Sequence, residues 1–166
     1  MSTFTTAGFF GLTSGCHICT EVAKTNGSTQ GVYYIHYITS VNCSVSGPIS
    51  AELRKYSPPN DTVLADNTIA FVIAKVYVPP ANVPGNILLE AIHIAPVPGD
   101  PTSEAYEDSV PDFRFPAIFA HGCVINEHQE EKLGVVTFPM VVSDYIRGGT
   151  KQSTLQYVYH NVACDV

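Results

Sequence analysis

Aromatic rings beside positive charge are the feature of this sequence that could do chemistry. Residues 33–37 read YYIHY, with Tyr34 and Tyr37 on a stretch running from Gly31 to Ser40. Lys75 stands two positions before Tyr77, and Arg114 sits between Phe113 and Phe115 in DFRF. Arg147 and Lys151 shortly precede Tyr157 and Tyr159. An exposed ring on a strand stacks on a flat partner such as a base, each contact giving ~1–3 kcal/mol. A neighbouring guanidinium or ammonium adds stacking and cation–π attraction. These eleven residues are therefore the candidate ligand-binding set. The competing expectation is that strand tyrosines fill an interior and leave their hydroxyls at its rim.

Other reactive residues form weaker patterns. Cys16 and Cys19 make a C-x-x-C pair around His17, and His121, Cys123 and His128 could complete a zinc tetrahedron. Zinc modules use paired knuckles of tighter spacing, so no metal is assigned. Whether the pair holds a metal or forms a disulfide stays open. His36, His93 and His160 each lie within an apolar stretch, the setting of a hydrogen-bonded core or rim histidine. No nucleophile elbow, zinc-protease helix or phosphate-cradling glycine loop occurs. The expectation is a protein that is not an enzyme and needs no cofactor.

Composition sets further bounds. Across 166 residues, 45% are hydrophobic and only 14% charged, with 12 glycines and 12 prolines, which favours strands and turns over helices. The formal charge of −7 opposes broad attraction to phosphate backbones. No apolar run reaches the ~20 residues of a spanning helix, and the first residues lack a basic, then apolar, leader pattern. An intracellular (cytoplasmic or nuclear) protein with reduced thiols and no membrane association is expected. Asn26, Asn42 and Asn60 begin N-x-Ser/Thr triplets, which matter only on a secretory route.

The elements that must position the rings read as strands. In 31–46 and 68–80 apolar residues alternate, and Pro79 and Pro80 stop the second stretch. NVPGN turns the chain into 86–97, which predicts a hairpin. SAELRKY at 50–56 predicts one helical turn. Residues 98–116 form a long acidic, proline-bearing loop, of the sort that is functional or mobile. Stretches 116–128 and 134–146 predict a second hairpin, around the acidic turn that holds Glu127 to Glu131, and 153–163 a final strand. Residues 1–30 are an expected N-terminal extension. The whole, 1–166, is expected to be a single all-β domain of five to seven strands with one short helix.

That layout resembles the OB-fold, the small five-stranded barrel of single-stranded-DNA-binding proteins of the replication protein A type. The likeness is carried by GVYYIHYITSV, the hairpin AFVIAKVYVPPANVPGNILLEAIHI, the long loop, and the succession from IFAHGCVINEH through GVVTFPMVVSDYIRGG to a last strand. It implies a small closed or partly open barrel that binds single-stranded nucleic acid. The alternative is a β-sandwich that binds carbohydrate or assembles with itself as a homo-oligomer.

Overall fold

A computed structural model describes residues 2–25, 27–44, 47–125, 130–132 and 135–160. The strands are β1 (Thr3–Ala23), β2 (Thr29–Cys43), β3 (Gly47–Tyr56), β4 (Thr68–Tyr77), β5 (Ile87–Pro96), β6 (Ala117–His121), β7 (Cys123–Val124), β8 (Glu130–Lys132), β9 (Val135–Ile146) and β10 (Gly149–His160). The helix among the described residues is a 3-10 turn, Glu107–Ser109, inside the long loop. None of the described helical structure is long and apolar enough to cross a membrane.

Five strands close on themselves. β1 pairs with β2, β2 with β3, β3 with β5, β5 with β4, and β4 returns to β1. All of these pairings are antiparallel except β3–β5, where Ala51 and Leu53 run parallel beside Ile87 and Leu89. That order is the Greek-key barrel of the OB-fold.

The barrel is built by alternation. Phe10 and Leu12 of β1, Ile35 and Tyr37 of β2, Ala51 and Leu53 of β3, Val72 of β4 and Leu89 of β5 are buried together. A barrel of five strands is narrow, so large inward side chains require small ones opposite. Ala51, Ala70 and Ala74 supply them. This is why the alanine side of β4, and not Ile69, Phe71 and Ile73, faces inward.

β1 can serve two partners because it bends. Its register with β2 slips between Thr13 and Cys16, and Ser14 is left-handed with φ 54°. A bulge of this kind sharpens the local twist and re-aims the strand. A Cβ on Gly15 would collide with the Val63 side chain and lie 2.8 Å from the Tyr37 ring, so the close approach needs glycine. β1 thereby pairs with β4 through Thr5–Leu12 and with β2 beyond Thr13.

Several expectations are corrected. Residues 1–30 are no extension: β1 is the strand that β2, β4 and β6 all join, and Phe4, Phe10 and Leu12 enter the core. SAELRKY is strand β3, because Ala51 and Leu53 point inward while Glu52 and Arg54 point outward, a period of two. The 68–80 and 86–97 stretches do form a hairpin. The expected pairing of 116–128 with 134–146 holds in part: Cys123 and Val124 of β7 lie antiparallel beside Val141 and Met140 of β9, while β6 leaves to pair with β1, and β9 makes a further hairpin with β10. β7 to β10 make a separate sheet, and Val142 of β9 reaches the barrel core. The architecture is therefore a closed barrel with added strands, and the sandwich alternative falls.

The long acidic loop is tethered. Tyr106 is buried; its hydroxyl accepts the Ile69 N–H at 3.2 Å and lies 3.0 Å from the Val97 carbonyl to which it donates. Removing that hydroxyl leaves strand-end groups without their partner, a cost of about 1–2 kcal/mol. Tyr106→Phe is expected to lower stability by that amount in urea unfolding, and to speed protease cleavage within 98–116.

Candidate nucleic-acid interface

The outward side chains of β2 and β3 meet in register. Tyr34 lies opposite Tyr56 and His36 opposite Arg54. The Arg54 guanidinium carbon sits 4.1 Å from the centre of the Tyr34 ring, and the Tyr34 and Tyr56 rings meet edge to face at 6.1 Å. Tyr56 is 65% exposed. On β5, Glu90 holds Arg54 at 2.8 Å.

Tyr34, Arg54 and Glu90 of this face form the floor of a groove of about 690 Å³. One wall is the far end of the β1–β2 hairpin, with Val22 and Val32; the other is Tyr145 and Arg147 at the tip of β9–β10. Lys75 of β4 also lines it. Arg147 and Gly148 form the two-residue turn between paired Ile146 and Gly149, with φ 52° and 81°. Asparagine and glycine suit such a turn, and an arginine there costs on the order of 1–2 kcal/mol. Arg147 reaches from the turn to the Glu52 carboxylate at 2.7 Å.

Each groove cation is thus matched by a carboxylate: Arg54 by Glu90, Arg147 by Glu52, and Lys75 by Asp144 at 2.6 Å. The hydrogen bond from Arg147 holds the Glu52 carboxyl below its ordinary range, with a further bond from Asn86. For Asp144, burial pushes the carboxyl up, but hydrogen bonds from Lys75, the Tyr145 N–H and Thr3 outweigh it, and the net direction is down. His36 is lowered from 6.5, first by burial and then by the nearby Arg147 and Arg54 charges.

The eleven expected residues separate into five places. Tyr34, Lys75 and Arg147 share the groove. Tyr77 and Lys151 form a neighbouring pair, with the ammonium 5.1 Å from the ring centre. Phe113 and Arg114 line a shallow hollow elsewhere, with Phe9, Asn42 and Asp112, and Phe115 is exposed in the same loop. That hollow and the groove have no lining residue in common. Tyr157 stacks on Phe138 at 5.0 Å on the second sheet. The backbone of Tyr159 lies in β10 beside Val136, and its side chain is outside those described.

Tyr37 does not face a ligand. It is buried in the barrel, where its hydroxyl accepts the Leu64 N–H at 3.0 Å and burial raises its pKa. The residues that sequence reasoning missed are Arg54, Tyr56 and Tyr145. Reading 50–56 with a period of two, in place of a helical turn, brings out Glu52, Arg54 and Tyr56 as one outward row.

Strand geometry excludes a disulfide between Cys16 and Cys19. Cys16 and Cys19 lie in regular pairing with His36 and Tyr33, so a rise of ~3.3 Å per residue puts their Cα atoms ~10 Å apart. A disulfide spans at most ~7 Å. His121 pairs with Thr3, on the order of 40 Å along β1 from Cys16. Among the described residues no three His, Cys, Asp or Glu side chains gather as a metal site. Asn26, Glu127, His128 and Cys164 lie outside the described residues.

No protein-family model and no curated protein matches the chain. Among solved structures it is similar to a deletion mutant of the single-stranded DNA binding protein from Thermus aquaticus. The two are 10% identical with a TM-score of 0.45, over 95% of this chain and 75% of that one.

Acid should weaken the fold through this groove. His36 is depressed in the folded state, so its contribution is complete above its ordinary 6.5 and is lost as pH falls through the folded value. The same sign applies to Glu52 below its ordinary 4.5. Urea unfolding between pH 7 and pH 5.5 is expected to show falling stability in the natural protein. The drop should be no more than about 1 kcal/mol, because solvent screens charges around a half-buried ring. His36→Gln should flatten that slope; an unchanged slope would contradict the assignment.

Proposed function

We propose that this chain is a non-catalytic binding protein for single-stranded nucleic acid, which lies along the groove across β2, β3 and β5. Bases stack on Tyr34 and Tyr56, while Arg54, Lys75 and Arg147 meet phosphates. The observation that carries the reading is Tyr34 in the concave surface with a guanidinium over its ring, and the exposed Tyr56 ring edge to face beside it. Oligonucleotides bind OB-fold barrels on the strand 2–3 face and the loops beside it, and this groove occupies that face. Tyr145 adds a third ring at the wall.

The paired carboxylates define the kind of binding. A chain of charge −7 whose groove cations are already matched attracts phosphates weakly at long range. Stacking then supplies most of the affinity and base identity matters little, because every base offers a π face. With at most three phosphates neutralised, log K should fall against log salt with a slope no steeper than about −2.

Fluorescence anisotropy with labelled oligothymidine and oligouridine at two salt concentrations tests this. Tyr34→Ala is expected to weaken binding about 5- to 150-fold, the scale of one lost stack. Glu90→Gln, which releases Arg54 from its partner, is expected to strengthen it. No binding at low salt, or Tyr34→Ala indistinguishable from the natural protein, would end the reading. A glycan array run alongside distinguishes a carbohydrate ligand.

A further inference from the structure

β6 is an edge. It adds to β1 through five consecutive pairs, Thr3–His121 to Ala7–Ala117, and no other described strand pairs with it. Alternate N–H and C=O groups on its far side therefore have no ladder partner among the described residues. Natural edges of this kind are blunted by shortness, a lysine, a proline, a bulge or an inward charge. Here β6 is short and follows Pro116, but Pro116 to Ala120 carries no charge, and Ile118 and Phe119 are each 60% exposed. Beside the strand lies an apolar cleft of about 540 Å³, lined by Phe4, Ile118, Met140, Leu155 and Tyr157 among others.

We propose that β6 pairs antiparallel with β6 of a second copy of this chain, joining two barrels through one continuous sheet about a two-fold axis at Phe119. The segment is complementary to itself in that register. Phe119 meets Phe119, and each Ile118 meets the small Ala120 of the other copy, at the ~5 Å spacing where side chains across strands interact. The alternation of the strand then sends both Ile118 side chains to the cleft face. A two-fold contact uses the same patch twice, which a self-complementary strand satisfies.

Ile118, Tyr157 and Val124, which stands opposite the cleft residue Met140, and Phe119 at the axis each expose half or more of their surface. At ~200 Å² for a large side chain that is on the order of 400 Å² per copy, before the backbone is counted. Standard stable interfaces bury ~800 Å² per partner, so a dimer that dissociates on dilution is expected. The patch is also uncharged, so the net charge of each copy does not meet its like at the contact.

Sedimentation velocity on the full chain, over a range of concentrations, tests the proposal with Phe119→Lys and Phe119→Glu. The natural protein is expected to be a dimer and each variant alone a monomer, since like charges then face each other across the axis. An equimolar mixture of the two variants is expected to restore the dimer, a result that a merely destabilised edge would not give. A natural protein that stays monomeric, a charged variant that stays dimeric, or a mixture that stays monomeric overturns it. Should the charged variants lose their β-sheet circular dichroism, Phe119→Thr carries the test: dimerisation weakened about tenfold is expected, and unchanged dimerisation overturns it.

Discussion

A five-stranded barrel has room for only a few large side chains, and everything else in this molecule accommodates that limit. Phe10, Tyr37 and Leu53 occupy the interior, and Ala51, Ala70 and Ala74 make space for them. Closure then needs one strand long enough and bent enough to hydrogen-bond on both sides. β1 does this through the bulge at Ser14 and the bare backbone of Gly15. The parallel β3–β5 contact completes the cylinder. Packing of this sort is intolerant of volume change, because the interior has no second layer into which a displaced side chain could move.

The same limit decides which rings meet solvent. One tyrosine of YYIHY, Tyr37, is used inside, its hydroxyl satisfied by the loop that follows β3. Tyr34 is left on the outside, where β3 supplies Tyr56 and Arg54 beside it. The β9–β10 tip then brings Arg147 to the same face from far along the chain, in a backbone conformation that arginine does not favour. Carboxylates from β3, β5 and β9 meet the three cations there. The face therefore carries matched charges and open rings together.

Much of the barrel was legible in the alternation of residues. The β4–β5 hairpin stood out because a proline pair and a turn separate two apolar runs of strand length, and local pairing follows from local sequence. β3 was misread because seven residues with apolar Ala51 and Leu53 satisfy a helical turn as readily as a strand. Only burial on one side distinguishes them. That single misreading hid Arg54 and Tyr56 from the candidate site. β1 was overlooked because its outward face carries Ala7, Phe9 and Gly11, so polar alternation is faint. The pairing expected between 116–128 and 134–146 holds only at β7 and β9, because β6 finds its partner at the opposite end of the chain.

The sequence by itself determined an all-β protein with interior-facing apolar rows, short of charge, with its rings concentrated on strands. Periodicity and composition are local properties, and those conclusions required nothing more. Which rings are swallowed and which are offered is not local. It depends on how the cylinder closes, because a shift of one residue in register exchanges the two faces of a strand. Tertiary structure therefore decided that Tyr37 is core, that Tyr34, Arg54, Lys75 and Arg147 share a groove, and that Phe113 and Arg114 stand apart from it.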